Sequence, residues 1–143
     1  MDCVFCRIAA GTAPASVVHT DPATVAFLDI APITPGHLLV IPRVHAEGLA
    51  DLDPDVGAQM WRIGQRMAAA LRRSGLRCEG VNFFLADGAA AFQEVPHVHL
   101  HVVPRWRGDG FGLRYKAGRP SRAELDGQAV DLRAAAERAA LAD

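Results

Sequence analysis

Residues 97–103 alternate histidine with apolar side chains, with histidines at positions 97, 99 and 101. Such alternation predicts a β-strand, in which every second side chain points from the same face. Side chains on one face follow each other at roughly 7 Å, so neighbouring imidazoles can share one small ligand. Burying three such rings is unfavourable unless each has a partner, which indicates a phosphate-handling or metal site. A zinc site that uses two of the three histidines is the alternative that this pattern leaves open.

Four further runs are rich in Val, Ile, Leu and Phe and are separated by Pro, Gly and Asp. This pattern predicts a strand for each run. The five predicted strands are residues 17–19, 24–30, 37–41, 81–85 and 97–103. A long helix is predicted between the third and fourth, since Asp53 can cap it, Pro54 suits its first turn and Gly75 follows its last. Its apolar stripe is Val56, Met60, Ile63, Met67 and Leu71. Ser121 and Glu124 have the spacing of a capping box, which predicts a C-terminal helix.

The order of these elements favours an α+β fold over a parallel βαβ array. We expect one domain over residues 1–114, with 115–143 as a C-terminal extension whose helix packs on the same domain. The net charge is −1 without a block of like charge, so a nucleic-acid or membrane surface is not indicated and a small ligand is favoured. No apolar run is long enough to span a bilayer, so we expect a cytoplasmic protein.

The cysteines indicate a metal rather than a disulfide framework. Cys3 and Cys6 form a Cys-x-x-Cys pair that supplies two thiolates, whereas Cys78 stands alone and is expected to be a packed thiol. A closed tetrahedral zinc site needs four ligands, and the chain has no second cysteine pair.

The histidine pattern, preceded by Gln93 and followed by Pro104-Arg105, resembles the histidine triad (HIT) superfamily of nucleotide hydrolases and transferases. Three other motifs occur in the order that this family shows: Asp29-Ile30-Ala31-Pro32, Pro35-Gly36-His37-Leu38-Leu39-Val40-Ile41-Pro42 and Asp87-Gly88. The resemblance extends from about Cys3 to Arg114 and includes the Hint and fragile histidine triad branches. It implies a HIT-like fold: a five-stranded antiparallel sheet with one long helix, in a homodimer whose sheets join into one surface.

The resemblance also implies a reaction. The middle histidine, here His99, attacks the α-phosphorus of a purine nucleotide conjugate and forms a nucleotidyl-histidine, which water hydrolyses to a nucleoside monophosphate, with AMP expected. His101 and His37 occupy the positions that hydrogen-bond the phosphate and leaving group. The conjugate is a nucleoside phosphoramidate or a dinucleoside polyphosphate, and no organic cofactor is implied.

Substrate-binding positions carry a structural alternative in each case. Gln93 matches a glutamine that contacts phosphate, and Asp29 matches the residue that binds ribose hydroxyls, although it could equally end a strand in a turn. Phe5, Ile8 and Phe27 match an apolar slot for the base, for which core packing competes. Arg105 could contact a distal phosphate or lie at the solvated surface.

Bacterial members of this superfamily imply the two missing metal ligands, which here are His45 and His97. Such a zinc site would be structural, without an open coordination position. The chain departs from the family pattern at Phe92, Ala86 and Glu94, and we expect Glu94 to narrow substrate choice. Two other functions stay open: a zinc-dependent hydrolase built on His97 and His99, and a nucleotide-binding or scaffold protein with little turnover.

Overall fold

The computed structural model describes residues 3–140, in which five strands form one antiparallel sheet. The first two and the last three residues, which the predicted domain bounds include, lie outside this part. The elements are α1 (Val4–Ala9), β1 (Val17–Thr20), β2 (Thr24–Leu28), β3 (Leu38–Pro42), α2 (Pro54–Arg73), β4 (Gly80–Leu85), β5 (Leu100–Arg105) and α3 (Arg122–Ala140). The strand order is β1-β2-β3-β5-β4, so the predicted α+β class and five-stranded sheet are confirmed.

The central strands of the sheet are covered on both faces, which explains why every residue of β3 is buried. One face packs on α2 and includes Ala26, Leu38, Val40, Leu100 and Val102. The opposite face packs on α1 and includes Val25, Phe27, Leu39 and Ile41. Because side chains alternate along a strand, the histidine of β5 that pairs with Leu39, His101, shares the α1 face.

Helix α2 confirms the predicted caps and apolar stripe. The Asp53 carboxylate accepts hydrogen bonds from the N–H groups of Asp55 and Val56, and Pro54 is the first helical residue. Met60, Ile63 and Leu71 are buried against the sheet. The helix ends at Arg73 with Ser74 as its C-cap, one residue before the predicted Gly75.

The end of β2 and the start of β5 differ from their predicted bounds for local reasons. Strand β2 ends at Leu28, because the Asp29 carboxylate accepts the N–H of Ala31 and turns the chain. Strand β5 begins at Leu100 and not at residue 97. The N–H groups of His97 and Val98 donate to Val95 and Ala46, outside the sheet ladder.

Residues from Gly112 onward form a second compact unit. The predicted capping box is present, since the Glu124 N–H donates to Ser121 Oγ and the Ser121 N–H donates to the Glu124 carboxylate. The packing of α3 on the first unit stays a prediction. Among the described residues, no helix combines the length and apolar character that crossing a membrane requires.

Candidate active site and metal cluster

Three histidine rings form a contiguous row on the α1 face of the sheet. The ring centroids of His99 and His101 are 4.8 Å apart, and those of His101 and His37 are 5.1 Å apart. His37 lies just before β3, His99 lies just before β5, and His101 is the second residue of β5. His37 and His99 are 3% and 5% exposed, so hydrogen bonds inside the protein decide which nitrogen of each ring carries a proton.

The environment of His99 selects one tautomer of its neutral ring. Its Nδ1 lies 2.7 Å from the carbonyl oxygen of His97, which can only accept, so Nδ1 carries a proton and, in the neutral ring, Nε2 keeps its lone pair. That carbonyl lies in the segment just before β5. The late start of β5 therefore sets the His99 tautomer.

His37 and His101 are linked by a directed hydrogen bond. The Ile33 N–H donates to His37 Nδ1 at 3.1 Å, so the other nitrogen of His37, Nε2, carries the proton and donates to His101 Nδ1 at 2.9 Å. The remaining nitrogen of His101, Nε2, then carries a proton that it can donate to a ligand. Burial and the neighbouring His99 and His37 lower the pKa of His101 to about 4, so its ring is neutral near pH 7.

Gly36 positions His37 through a backbone that only glycine adopts easily. Its φ is +93°, and a Cβ there would lie 2.8 Å from Leu76 Cδ1 and 3.1 Å from Leu71 Cδ2. The His37 N–H donates to Thr34, and its carbonyl accepts the Asp29 N–H. Both ends of the His37 backbone are thus fixed.

Asp29 forms the predicted turn and also faces the histidine row, while its contact with ribose hydroxyls stays a prediction. One carboxylate oxygen accepts the Ala31 N–H at 2.8 Å, which is the predicted turn. The other lies 3.6 Å from His37 Nε2, so the carboxylate also faces the histidine row. Burial lowers the pKa of His37, with the Asp29 charge opposing this effect.

Four predicted metal ligands converge beside this row. Nδ1 of His97 lies 3.4 Å from Cys3 Sγ and 3.5 Å from Cys6 Sγ. Nδ1 of His45 lies 3.2 Å from His97 Nδ1 and 3.4 Å from Cys6 Sγ. Ordinary Zn–S and Zn–N bond lengths in a tetrahedral site separate an S and an N ligand by about 3.6 Å and two N ligands by about 3.3 Å. The spacing of these donors therefore fits zinc.

The tautomer of His97 also fits a metal. Its Nε2 lies 2.9 Å from the carbonyl oxygen of Pro42, so Nε2 carries the proton and Nδ1 presents a lone pair to the cluster. Asp29, His37 and His101 form a second group of close donors. There the metal-facing Nε2 of His37 is protonated, because Ile33 occupies Nδ1. The second group therefore does not fit a metal in this arrangement.

The thiols of the first group need a cation to ionise together. Burial and the neighbouring Cys3 raise the pKa of Cys6. A bound divalent ion reverses this effect by stabilising both thiolates, and its binding releases protons.

The predicted base-slot residues are part of the core on the α1 face. Phe5 and Phe27 are buried and pack edge to face with ring centroids 5.5 Å apart, and Ile8 is partly buried beside them. Phe5 also packs against His99, with centroids 5.3 Å apart. Phe27 therefore packs in the core, whereas Phe5 packs in the core and also contacts the His99 ring.

Gln93 ties together the two loops beside the site. Its Oε1 accepts the Gly88 N–H at 2.7 Å, and its Nε2 donates to the carbonyls of Glu47 and Val95. Asp87 adds a further link by accepting the Leu49 N–H. The Gln93 amide therefore has backbone partners on both of its polar atoms, and its contact with phosphate stays a prediction.

Arg105 has several protein partners, which neither sequence alternative anticipated. Its Nε and Nη2 bind the Asp109 carboxylate at 2.6 and 2.8 Å, Nη1 donates to Asn82, and Nη2 also donates to the Phe111 carbonyl. The side chain fixes the turn after β5, and its contact with a distal phosphate stays a prediction.

Sequence reasoning missed the groups that set the tautomers, namely the carbonyls of His97 and Pro42 and the amide of Ile33. Any residue type supplies these groups, so the sequence carries no signal for them.

The HIT domain family model matches residues 10–108 of this chain. An uncharacterised HIT-like protein from Mycobacterium tuberculosis is 49% identical over 109 residues, covering 76% of this chain and 75% of the relative. A zinc-bound histidine triad family protein from Mycobacterium smegmatis superposes with a TM-score of 0.76 at 45% identity, covering 94% and 98% of the two chains. A histidine triad nucleotide-binding protein from Candida albicans superposes with a TM-score of 0.85 at 28% identity, covering 99% and 100%.

Proposed function

Because the chain belongs to the HIT family, we propose that it is a nucleotide hydrolase or transferase that cleaves purine nucleotide conjugates at the α-phosphate. The substrates are nucleoside phosphoramidates or dinucleoside polyphosphates, and the product is a nucleoside monophosphate, AMP in the first instance. The observation that carries the proposal is the hydrogen bond from His99 Nδ1 to the His97 carbonyl, which selects the neutral tautomer with a lone pair on Nε2.

The reaction has two displacements. The lone pair of His99 Nε2 attacks the α-phosphorus, and the bond from phosphorus to the leaving group breaks with its electron pair going to the leaving group. The leaving group takes up a proton from solvent as it departs. Water then attacks the phosphorus and loses a proton to solvent, the P–N bond breaks, and its electron pair returns to Nε2. The Nε2–H of His101 donates a hydrogen bond to the phosphate or leaving group, where negative charge develops. His37 holds His101 in the tautomer that makes this possible.

Substrate binding uses the groups around the histidine row. The second carboxylate oxygen of Asp29 accepts hydrogen bonds from the ribose hydroxyls. The base lies against the apolar surface next to His99, which includes Phe5 and Ile8. Gln93 fixes the loops at Gly88 and Glu47 through hydrogen bonds to their backbones. In this proposal it acts on the phosphate by holding that loop backbone in place.

Zinc is the proposed metal, held by Cys3, Cys6, His45 and His97. The donor spacing and the His97 tautomer support it, as does the zinc-bound relative. Bound there, zinc supplies a structural cross-link between α1, the loop after β3 and the segment before β5. A metal in this closed set has no open position for substrate, so we do not favour the zinc-dependent hydrolase.

A homodimer through the sheet is part of the proposal. Strand β4 lies at one end of the strand order and pairs with β5 alone among the described strands, so its outer edge can accept the same strand of a second copy. Sedimentation at micromolar concentration tests this point, and a monomer alone would contradict it.

The function is tested by chromatographic detection of AMP and GMP released from phosphoramidates, adenylated amines and dinucleoside polyphosphates. We expect release by the native protein and none by His99→Ala. The matched control is His19→Ala, which removes a histidine that binds Asp21 outside the site. Mass spectrometry of acid-quenched native protein should detect one nucleotidyl group, and its absence from His99→Ala would locate it.

Nucleotide binding without product from any substrate would overturn the hydrolase proposal and favour the binding protein. The zinc proposal is tested separately by metal analysis of the purified protein and by thermal unfolding with and without a chelator. Less than about one zinc per four-ligand site, with an unchanged melting temperature, would overturn it.

A further inference from the structure

Two structural paths lead from the Cys3–Cys6–His45–His97 cluster to the ring of His99. The first runs through His97 alone. Its Nδ1 faces the cluster, and its carbonyl oxygen accepts the proton of His99 Nδ1 at 2.7 Å. The ring of His97 is itself fixed at its other end by the Pro42 carbonyl. One residue therefore connects the cluster to the hydrogen bond that leaves His99 Nε2 free.

The second path runs through α1. Phe5 lies between Cys3 and Cys6 in the sequence and packs edge to face on His99 at 5.3 Å and on His97 at 5.8 Å. Helix α1 has only six residues, which is too short for a helix to be stable alone. Contacts with other parts of the chain must therefore hold it in place. Its two cysteines fix the side of the helix from which Phe5 projects.

The two imidazoles of the cluster face each other at close range. Nδ1 of His45 and Nδ1 of His97 are 3.2 Å apart, and the lone pair of His97 points toward His45 because Nε2 donates to Pro42. Two nitrogen lone pairs at this distance repel each other unless a cation or a proton lies between them. Without an ion, a proton on His45 Nδ1 takes its place, and separate hydrogen bonds replace the single centre that would join all four donors.

We propose that occupancy of this cluster positions the nucleophile, with His97 and Phe5 as positioning residues that hold the ring and tautomer of His99 from two sides. What His99 does once it is positioned rests on the proposed function. The positioning itself concerns the ring alone and is measurable without turnover. Metal binding thereby controls whether the His99 ring is held in its Nδ1–H tautomer, in addition to cross-linking the chain.

The first experiment compares zinc-loaded protein with protein made metal-free by a chelator and then reloaded with zinc. Nitrogen-15 NMR of labelled histidine reports which imidazole nitrogen carries the proton, and His99→Ala identifies the signals. We expect His99 to show a single Nδ1–H tautomer in the zinc-loaded protein and a mixture in the metal-free protein, reversed by zinc. We also expect kcat to fall about 10- to 100-fold, with the Kd for AMP changed about threefold or less. Cys78→Ser, treated in parallel, controls for effects of the reagents on thiols.

Variants separate metal loss from other damage. His45→Ala removes the exposed ligand, which lies on neither path, and should reproduce the metal-free spectrum of His99. His45→Cys keeps four ligands and should restore the zinc-loaded spectrum. If chelation unfolds the protein, Phe5→Leu provides the test, because it keeps all four ligands while removing the second path. We expect it to retain zinc and to broaden or split the His99 signals.

A folded metal-free protein with the His99 signals and kcat of the zinc-loaded form would overturn the proposal. If chelation unfolds the protein, an unchanged His99 spectrum in Phe5→Leu would also overturn the proposal. Failure of the proposed function gives a different result, in which no substrate is hydrolysed while the His99 spectrum still depends on zinc.

Discussion

Replacing Gly36 with alanine tests how the backbone before His37 is held. The φ of +93° costs a residue with a Cβ about 1 to 2 kcal/mol. The new methyl would also lie 2.8 Å from Leu76 Cδ1 and 3.1 Å from Leu71 Cδ2, and overpacking of this kind adds about 1 to 3 kcal/mol. We therefore expect Gly36→Ala to lower the free energy of unfolding by about 2 to 5 kcal/mol.

Two matched glycines separate the contributions. Gly108 has a φ of +82° with no atom within 4 Å of a built Cβ, so Gly108→Ala should lose only the backbone part, about 1 to 2 kcal/mol. Gly75 has neither a positive φ nor a close neighbour, so Gly75→Ala should stay within about 0.5 kcal/mol of the native protein. Urea unfolding followed by circular dichroism measures all three.

The three values also refute the reasoning if they come out in the wrong order. If Gly36→Ala loses no more stability than Gly108→Ala, the side chains of Leu71 and Leu76 move aside freely and the crowding argument is wrong. If all three variants match the native protein, the positive φ values carry no energetic cost. Folded Gly36→Ala should in addition have a lower kcat, because the altered backbone displaces His37.

Three further predictions concern stability. Phe92 is exposed at a φ of +66°, so Phe92→Gly should be more stable in urea than Phe92→Ala, by about 0.5 to 1 kcal/mol. The pKa of His101 is about 4 in the folded protein, against 6.5 for an unperturbed histidine, so the unfolded chain takes up the proton first as the pH falls. Stability should drop between pH 6.5 and 4, by up to about 3 kcal/mol, and less in His101→Gln; equal slopes would contradict this. Arg105→Lys loses the two-point contact with Asp109 and should lower the melting temperature more than Arg107→Lys does; equal melting temperatures would contradict this assignment.

Local signals in the sequence predicted the elements whose ends depend on one residue's own chemistry. Asp53 and Ser121 begin α2 and α3 because a short polar side chain binds the free N–H groups of a first turn. The start of β5 could not be predicted in this way. It depends on the carbonyls of Ala46 and Val95, which take the N–H groups of His97 and Val98 away from the ladder.

The candidate site shows the same division. The spacing of the histidines indicated that His99 and His101 lie side by side, and the resemblance to the HIT superfamily indicated that His45 and His97 join Cys3 and Cys6; the structure brings each set together. The sequence could not indicate which nitrogen of each ring is free, because backbone groups decide it. Nor could it assign Gln93 and Arg105, whose polar atoms are engaged by groups from loops that only the fold brings near.

The irregular segment before β5 sets a limit on engineering this scaffold. Idealised redesign favours strands of matched length, and extending β5 back to residue 97 would complete the ladder beside β3. In a regular strand the His97 carbonyl would lie in the plane of the sheet and the His99 side chain would stand perpendicular to it, so His99 Nδ1 would lose its acceptor. A more regular and more stable sheet would thus no longer hold His99 in the tautomer that the proposed reaction needs. This stretch of the chain should therefore be left unchanged in any thermostabilised variant.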